Sequence, residues 1–216
     1  MERLIWLSID RPLTDTEEVM LFSFAAPEKQ QQLGRITHQE SRQQRLLAEE
    51  LARWLIGKEL HVPPWELRIA IAPGGKPFLV DHPALHYNLS HTQGGVLCAL
   101  SDRPVGVDVE QVRPFGDRAA VRWFTPAEQA WSGEDPLRRI ILWTRKEAAA
   151  KWNGAGLPAL RREDTRREPW KSRIVSRQMG RFVWSACSDL GWSSPPFVLA
   201  LNRFIEDLYA AQSPCR

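Results

Sequence analysis

The chain has 216 residues, 43% of them hydrophobic and 25% charged, a composition typical of a globular protein with one large domain or two small ones. Its 29 basic and 26 acidic residues leave a net charge of +3, which is too small to indicate nucleic-acid binding by itself. Three cysteines without CxxC spacing argue against a disulfide framework and a zinc site, and no apolar run fits a signal peptide or a transmembrane helix, so we expect a cytoplasmic protein.

In the first part of the chain, short strands are predicted around two helices. The apolar patterns predict a strand over residues 4–9, a helix over 15–24, a longer helix over 37–57 and a strand over 67–71. The segment "PGGKPFL" (73–79) has the chemistry of a turn and is followed by a short extended piece.

Residues 85–110 predict strands joined by turns that contain glycine or Asp-Arg-Pro. After them, Thr125 and Glu128 have the spacing of a capping box, with Pro126 at the first helical position. This part of the chain therefore changes from strands to helix near residue 125.

A long helix follows, with Asp135 as its N-cap and either Gly154 or Gly156 as its end. Strand-like segments over 181–187 and 196–202 come near the end of the chain. Each half of the chain thus offers a helix and several short strands, and the order of the elements indicates an α+β fold of two related halves.

The strand in "PVGVDVEQVRP" (104–114) carries two acids on one face. Its valines alternate toward a core, so Asp108 and Glu110 share the opposite face. Like charges on one face repel each other unless a positive group lies between them. The strand therefore predicts a cation next to Asp108 and Glu110, although a solvated strand face is the alternative.

In "LWTRKEAAAK" (142–151), Trp143, Glu147 and Lys151 lie at i, i+4 and i+8 and share one helix face. A third carboxylate is thereby presented beside a lysine, and oxygen ligands of this kind suit Mg²⁺ bound with a phosphate. The alternative is structural: Thr144 and Glu147 also spell a capping box. A helix that began at Thr144 would leave "DPLRRIILW" (135–143) unexplained, which favours Glu147 in the middle of a helix.

Two further polar segments are candidates for a binding site. "NLSHTQGG" places Ser90 and His91 just before a glycine pair, and "GGKPF" places Lys76 beside flexible glycines. Each of these segments taken alone is an ordinary turn or a structural histidine.

Five motifs occur in one order: "GGKPFL", "YNLSHTQG", "VGVDVEQVRP", "FTPAEQ" and "WTRKEAAAKWNGAGL". Together they closely resemble the 4′-phosphopantetheinyl transferases of the Sfp type, over roughly residues 1–160 and more loosely to about 203. The resemblance implies transfer of the 4′-phosphopantetheine arm of coenzyme A to a serine of an apo acyl or peptidyl carrier protein, with release of 3′,5′-ADP and dependence on Mg²⁺. Such carrier proteins serve fatty-acid, polyketide or nonribosomal-peptide synthesis.

The resemblance also implies an architecture. Members of this length are monomers of two similar α+β halves related by pseudo-twofold symmetry, each a small antiparallel sheet with a packed long helix, and coenzyme A binds between them. We expect residues 1–104 to form the half on the coenzyme A nucleotide side and residues 105–216 the half that carries the metal and catalytic groups. Neither nucleic acid nor membrane is an expected partner.

Position by position, the resemblance assigns roles to individual residues. Asp108, Glu110 and Glu147 match the Mg²⁺ ligands, and Asp108 also borders coenzyme A. Glu147 matches the base that deprotonates the carrier serine, either directly or through a water molecule, and Lys151 matches the lysine that contacts phosphate and assists the leaving group. The remaining coenzyme A contacts implied are Lys29, Arg45 (with Arg42 as the alternative register), Gly75, Lys76, Pro77, Ser90 and His91.

Two segments depart from the family pattern. "PEKQQQLGRITHQESRQQR" (27–45) is rich in glutamine where relatives carry further basic residues, which leaves open a non-catalytic descendant that binds coenzyme A or carrier proteins. The arginine-rich segment 161–173 is either a solvated loop or a basic edge that meets an acidic carrier protein. The 29 basic residues and ten tryptophans also leave single-strand nucleic-acid binding as a third hypothesis.

Overall fold

Two main β-sheets with helices on their outer faces make up the fold. The computed structural model describes residues 1–212, without the side chains of residues 28, 211 and 212, and Cys215 lies outside this range. The strands are β1 Glu2–Ser8, β2 Ile69–Ile71, β3 Pro77–Leu79, β4 His86–Thr92, β5 Gly95–Ser101, β6 Val105–Gln111, β7 Ile174–Met179, β8 Phe182–Ser188 and β9 Phe197–Ala200. The helices are α1 Asp15–Phe24, α2 Pro27–Gly34, α3 Gln39–Leu60, α4 Asp117–Trp123, α5 Pro126–Ser132, α6 Pro136–Asn153, α7 Leu157–Leu160, α8 Trp170–Arg173 and α9 Leu201–Gln212.

The first sheet has the strand order β4-β5-β1-β9 and the second has the order β6-β8-β7, while β2 and β3 form a separate ribbon. The predicted α+β class is confirmed. The second sheet is antiparallel throughout, whereas β9 runs parallel to β1 in the first sheet. The first sheet is therefore mixed, because the C-terminal part of the chain returns to it. The proposed division at residue 104 and the pseudo-twofold relation stay predictions.

The two sheets pack face to face between helical layers. On β1, Ile5 and Leu7 point to a core shared with α3 and α9, whereas Leu4 and Trp6 point to a second core shared with β6 and β8. Because successive strand side chains alternate faces, burial of both faces explains the unbroken apolar run "LIWL". Helix α6 covers the outer face of the second sheet, and the small side chain of Ala148 lies in that contact.

Helix α3 continues three residues beyond the predicted end at Gly57. It ends instead at His61, which caps the helix in the left-handed region with φ 56°. A Cβ atom at Gly57 would lie 2.8 Å from the carbonyl oxygen of Val62. Gly57 therefore allows the chain after the helix to pass close to it, and the helix end itself is formed by His61.

Other differences concern elements that local patterns do not reveal. The strand predicted over 67–71 is reduced to Ile69–Ile71, and α2, α4 and β7 were not predicted. The sequence of β7, "IVSRQM", has exposed polar residues toward its end, so it becomes a strand through its pairing with β8. Among the described helices, none is long and apolar enough to cross a membrane.

A buried acid lies in the middle of α3. Glu50 is 1% exposed, and its Oε1 atom has no hydrogen-bond partner among the described residues. Burial raises the pKa of Glu50 to about 8, with Arg53 opposing and Glu49 adding to the shift. Because the charged form is disfavoured in the folded state, Glu50 favours folding below its ordinary pKa and loses that contribution as the pH rises through about 8.

We expect Glu50→Gln to remove this pH dependence. Between about pH 4.5 and 8.5, wild type should lose up to roughly 5 kcal/mol of unfolding free energy relative to the variant, as measured by urea unfolding at both pH values. The matched control is Glu40→Gln, because Glu40 is exposed in the first turn of the same helix. Parallel pH curves for wild type and Glu50→Gln would contradict the prediction.

Candidate active site

The two sheets meet where β4 and β6 run side by side. The amide N–H of Val107 donates to Asn88 Oδ1 at 2.9 Å, and the amide N–H of Val109 donates to Ser90 Oγ at 3.3 Å. Side chains of β4 thus accept hydrogen bonds from backbone N–H groups on the edge of β6. Without these acceptors, the burial of the N–H groups would be costly. This seam fixes the acidic strand against the first sheet.

Asp108 lies at the centre of this seam. Its valine neighbours are in the core between the sheets, as predicted, and Asp108 itself is only 5% exposed. Oδ1 accepts hydrogen bonds from Ser90 Oγ at 2.7 Å and from Lys151 Nζ at 2.8 Å. Among the described residues, Oδ2 is buried without a partner. The positive group next to Asp108 is therefore the ammonium of Lys151, while Arg113 lies 3.8 Å from a carboxyl oxygen of Glu110.

A glycine on β6 allows Lys151 to reach Asp108. Gly106 shares the face of Asp108, and a Cβ atom there would lie 2.1 Å from the carbonyl oxygen of Ala148 and 2.3 Å from the amide nitrogen of Trp152. Helix α6 therefore rests directly on the strand. In this position Lys151 Nζ also donates to the carbonyl of Val107 at 3.1 Å.

Helix α6 presents the third acid, Glu147, to the same place. The helix begins after Asp135, which accepts from two backbone N–H groups, and it ends at Gly154 with φ 69°. Both the predicted N-cap and one of the two predicted ends are confirmed. Glu147 is consequently in mid-helix, and Thr144 does not begin a helix: its hydroxyl instead lies 2.8 Å from that of Ser185.

Ionisation of Glu147 and of Glu110 is disfavoured in the folded state. Burial raises the pKa of Glu147 to about 7, and the charge of Asp108 adds to the shift while Lys151 opposes it. Burial likewise raises the pKa of Glu110, again with a contribution from Asp108 and with opposition from Arg113. A site that makes carboxylates costly in this way favours a bound cation.

Glu147 and Lys151 border a cleft between the two sheets. Its volume is about 300 Å³, and it is lined by Gly74, Gly75, Lys76, Pro77, Asn88, Leu89, Glu147, Ala150, Lys151, Gly154, Gly156 and Leu157. The glycine segments 74–75 and 154–156 meet there, because a Cβ atom at Gly74 would lie 2.9 Å from the carbonyl oxygen of Gly154. The structure thus brings the predicted residues Gly75, Lys76 and Pro77 to the same cleft as Glu147 and Lys151.

Lys76 has a bridging position in the wall of this cleft. Its ammonium donates to the carbonyl of Val105 at 3.1 Å and to that of Trp152 at 2.9 Å. Burial lowers the pKa of Lys76. The lysine therefore connects the start of β6 to the end of α6.

The remaining candidates lie around the β4 strand. Ser90 is buried in the seam, and desolvation together with the charges of Arg45 and Lys151 lowers the pKa of the next residue, His91. Arg42 is held 2.6 Å from a carboxyl oxygen of Glu18. Of the two arginines considered for coenzyme A, Arg45 is the one whose charge reaches His91.

Lys29 and the arginine-rich segment are engaged in ion pairs. Lys29 Nζ lies 3.4 Å from a carboxyl oxygen of Glu49, not in the Asp108 cluster. In the segment 161–173, Arg166 contacts Asp164 at 2.7 Å and Arg167 contacts the same carboxyl group at 3.5 Å. Part of this basic segment is therefore neutralised within the chain.

Sequence reasoning missed two residues that build the site. Asn88 lies two residues before Ser90, and period-two alternation on β4 would have placed both on the face that meets β6. Gly106 lies two residues before Asp108 by the same alternation. The signal was present in both cases, but its meaning depends on which strand or helix lies opposite.

The carboxylates fit a hard divalent cation in their chemistry. Carboxylate oxygens are preferred ligands of Mg²⁺. Oδ2 of Asp108, which has no hydrogen-bond partner among the described residues, is available to bind such a cation. Across residues 1–212, no group of three or more His, Cys, Asp or Glu side chains has the arrangement of a metal site. The buried Cys98 and Cys187 are free thiols.

Known proteins are similar to this chain in sequence. A sequence model of the 4′-phosphopantetheinyl transferase superfamily matches residues 104–199. The chain is 31% identical to the 4′-phosphopantetheinyl transferase Sfp of Bacillus subtilis (strain 168) over 160 residues, which cover 72% of this chain and 71% of that protein. It is 33% identical to the 4′-phosphopantetheinyl transferase HetI of Nostoc sp. over 160 residues, which cover 68% of each.

These matches define an enzyme of the 4′-phosphopantetheinyl transferase class. Within it, the chain belongs to the Sfp-type family, and the resemblance read from the five motifs is confirmed.

Proposed function

We propose that this enzyme transfers the 4′-phosphopantetheine arm of coenzyme A to a serine hydroxyl of an apo acyl or peptidyl carrier protein, and that 3′,5′-ADP leaves. The observation that carries the proposal is the convergence of Glu147, Lys151 and the glycine segment 74–75 on one cleft beside Asp108. A cleft lined by a carboxylate and an ammonium suits a pyrophosphate ester and an incoming hydroxyl.

The reaction joins the serine oxygen to the phosphorus atom that carries the arm and breaks the bond from that phosphorus to the bridging oxygen of the pyrophosphate. Glu147, half-buried on the cleft wall, takes the serine proton directly or through an ordered water molecule. The bonding electron pair leaves with 3′,5′-ADP, whose negative charge Lys151 stabilises. Positioning and charge neutralisation account for most of the catalysis in such displacements.

The other residues bind and orient coenzyme A. Lys76 and the backbone of Gly75 and Pro77 line the nucleotide end of the cleft. Arg45 supplies positive charge beside β4, and the lowered pKa of His91 favours a neutral imidazole there that can hydrogen-bond to phosphate. Ser90 acts mainly by holding Asp108, to which it donates at 2.7 Å. Lys29 contacts phosphate only if it leaves Glu49.

The proposed metal is Mg²⁺, held by Asp108, Glu110 and Glu147. When bound, it would neutralise charge that develops on the pyrophosphate oxygens. The like-charge effects on the pKa values of Glu110 and Glu147 support this assignment.

The proposal includes a monomeric, cytoplasmic enzyme of two halves, residues 1–104 and 105–216. Its carrier proteins would belong to fatty-acid, polyketide or nonribosomal-peptide synthesis. Exposed arginines of the segment 161–173 that form no ion pair among the described residues, such as Arg161, offer positive charge to an acidic carrier protein.

The test is intact-protein mass spectrometry of an apo carrier protein incubated with this enzyme, coenzyme A and Mg²⁺. We expect a gain of one phosphopantetheine arm, and we expect EDTA to abolish it and added Mg²⁺ to restore it. Coenzyme A binding without any gain on several acyl and peptidyl carrier proteins would favour the non-catalytic hypothesis. A gain that persists in EDTA would contradict the metal assignment alone.

A further inference from the structure

A fully buried ion pair lies next to the catalytic face of α6. Lys146 and Glu128 are both 0% exposed, and Lys146 Nζ lies 2.9 Å from Glu128 Oε2. The same ammonium donates to the carbonyl of Leu160 at 2.9 Å and to that of Glu163 at 2.6 Å. All three N–H donors of the lysine therefore have acceptors.

The carboxylate of Glu128 is satisfied on both oxygens. Oε2 also accepts the amide N–H of Thr125 at 2.9 Å, and Oε1 accepts the amide N–H and the hydroxyl of Thr165, each at 3.0 Å. The network joins three separate segments: the start of α5, the middle of α6 and the chain around Leu160–Thr165. A buried ion pair can often be replaced by apolar side chains without loss of stability. Stability alone therefore does not explain why this network is present.

The network closes a loop of chain around the cleft. The hydrogen bond from Lys146 to Leu160 joins residues 14 positions apart. Every cleft-lining residue of the second half lies between these two positions, and the full set is Glu147, Ala150, Lys151, Gly154, Gly156 and Leu157. Lys146 and its partners thus hold both ends of the segment that forms one wall of the cleft.

We propose that Lys146 and Glu128 are positioning residues of the transferase: their buried network fixes the cleft wall from Gly154 to Leu157 in the shape that receives coenzyme A. The inference rests on the proposed function, since it concerns the same cleft. Helix α6 keeps its own hydrogen bonds and its packing through Ala148 and Ala149 without the network. The loop after Gly154 lacks that support, so coenzyme A binding depends on the network more than the chemical step does.

The main variant for the test is Lys146→Met, and Lys146→Arg is the conservative variant. For Lys146→Met we expect the Kd and the KM for coenzyme A to rise at least tenfold, with kcat changed less than threefold. Amide hydrogen exchange in residues 154–165 should accelerate at least tenfold, while exchange in 140–150 stays within threefold. Lys146→Arg should restore at least half of the lost affinity, because it retains the charge.

Leu21→Ala is the control that distinguishes a positioning role of Lys146 from a general effect of lowered stability. Leu21 is fully buried in the helical core of the first sheet, so its truncation lowers Tm without touching the network. We expect coenzyme A affinity to be unchanged in this control. If Lys146→Met lowers Tm to the same extent but leaves the Kd and the exchange of residues 154–165 unchanged, the proposal is wrong.

If Lys146→Met does not fold, Thr165→Val carries the test. It removes one hydrogen bond to Glu128 and keeps the ion pair. We expect a twofold to fivefold rise in Kd with faster exchange confined to residues 154–165, and wild-type values for both would overturn the proposal. Hydrogen exchange needs no ligand, so it tests the effect of the network on residues 154–165 even without coenzyme A. If wild type neither binds coenzyme A nor modifies a carrier protein, the proposed function is wrong, whatever the exchange data show.

Discussion

Glu147→Gln is expected to lower the rate of arm transfer by roughly 10²- to 10⁴-fold, the usual contribution of a positioned general base, without lowering stability. Glutamine keeps the size of the side chain but cannot accept the serine proton. The pKa of Glu147 is raised to about 7 by burial and by Asp108, so at a higher pH the charged carboxylate destabilises the folded state. Removing this charge therefore leaves the folded state at least as stable at pH 8.

The measurement combines the rate of mass gain on an apo carrier protein with thermal unfolding at pH 8. Glu134→Gln is the control, because Glu134 is an exposed acid in the turn before α6. It should match wild type in both measurements. Transfer by Glu147→Gln within tenfold of wild type would exclude Glu147 as the base, and a lowered Tm would contradict the reading of its pKa.

Local signals in the sequence predicted much of the second half. The alternation of valines in β6 and the caps Asp135 and Gly154 depend on neighbours within a few residues, and the structure confirms them. The mid-helix position of Glu147 follows from these caps. The sequence therefore predicted which faces carry Asp108 and Lys151.

Contacts between distant segments were beyond such reasoning. Strand β9 pairs with β1, at the other end of the chain, in parallel, and no local pattern distinguishes that partner from another. Asn88 was missed because its role is to accept from Val107 across the seam between the sheets. Likewise, Gly57 was read as a helix end because a glycine required by close packing looks the same in sequence as a C-terminal cap.

The distance between Asp108 and Lys151 depends on one such contact, since Gly106 allows α6 to rest on β6. We expect Gly106→Ala to lower the free energy of unfolding by about 3 kcal/mol, the upper end for an added methyl in a packed core. We also expect transfer to fall by roughly 10²-fold, because displacements of about 1 Å have such effects on positioned groups. The added Cβ would lie 2.1 Å from the backbone oxygen of Ala148, and backbone cannot move aside as a flexible side chain can.

Urea unfolding and the rate of arm transfer test this prediction, with Gly34→Ala as the control. Gly34 is the last residue of α2, with no atom within 4 Å of an added Cβ, so alanine there should leave both quantities unchanged or slightly raise stability. Loss of stability in Gly106→Ala with normal transfer would mean that β6 moves and the Lys151–Asp108 pair moves with it. The close approach of α6 would then matter for folding alone. Loss of both stability and transfer would show that the missing side chain at Gly106 sets the distance between Lys151 and Asp108 that the reaction needs.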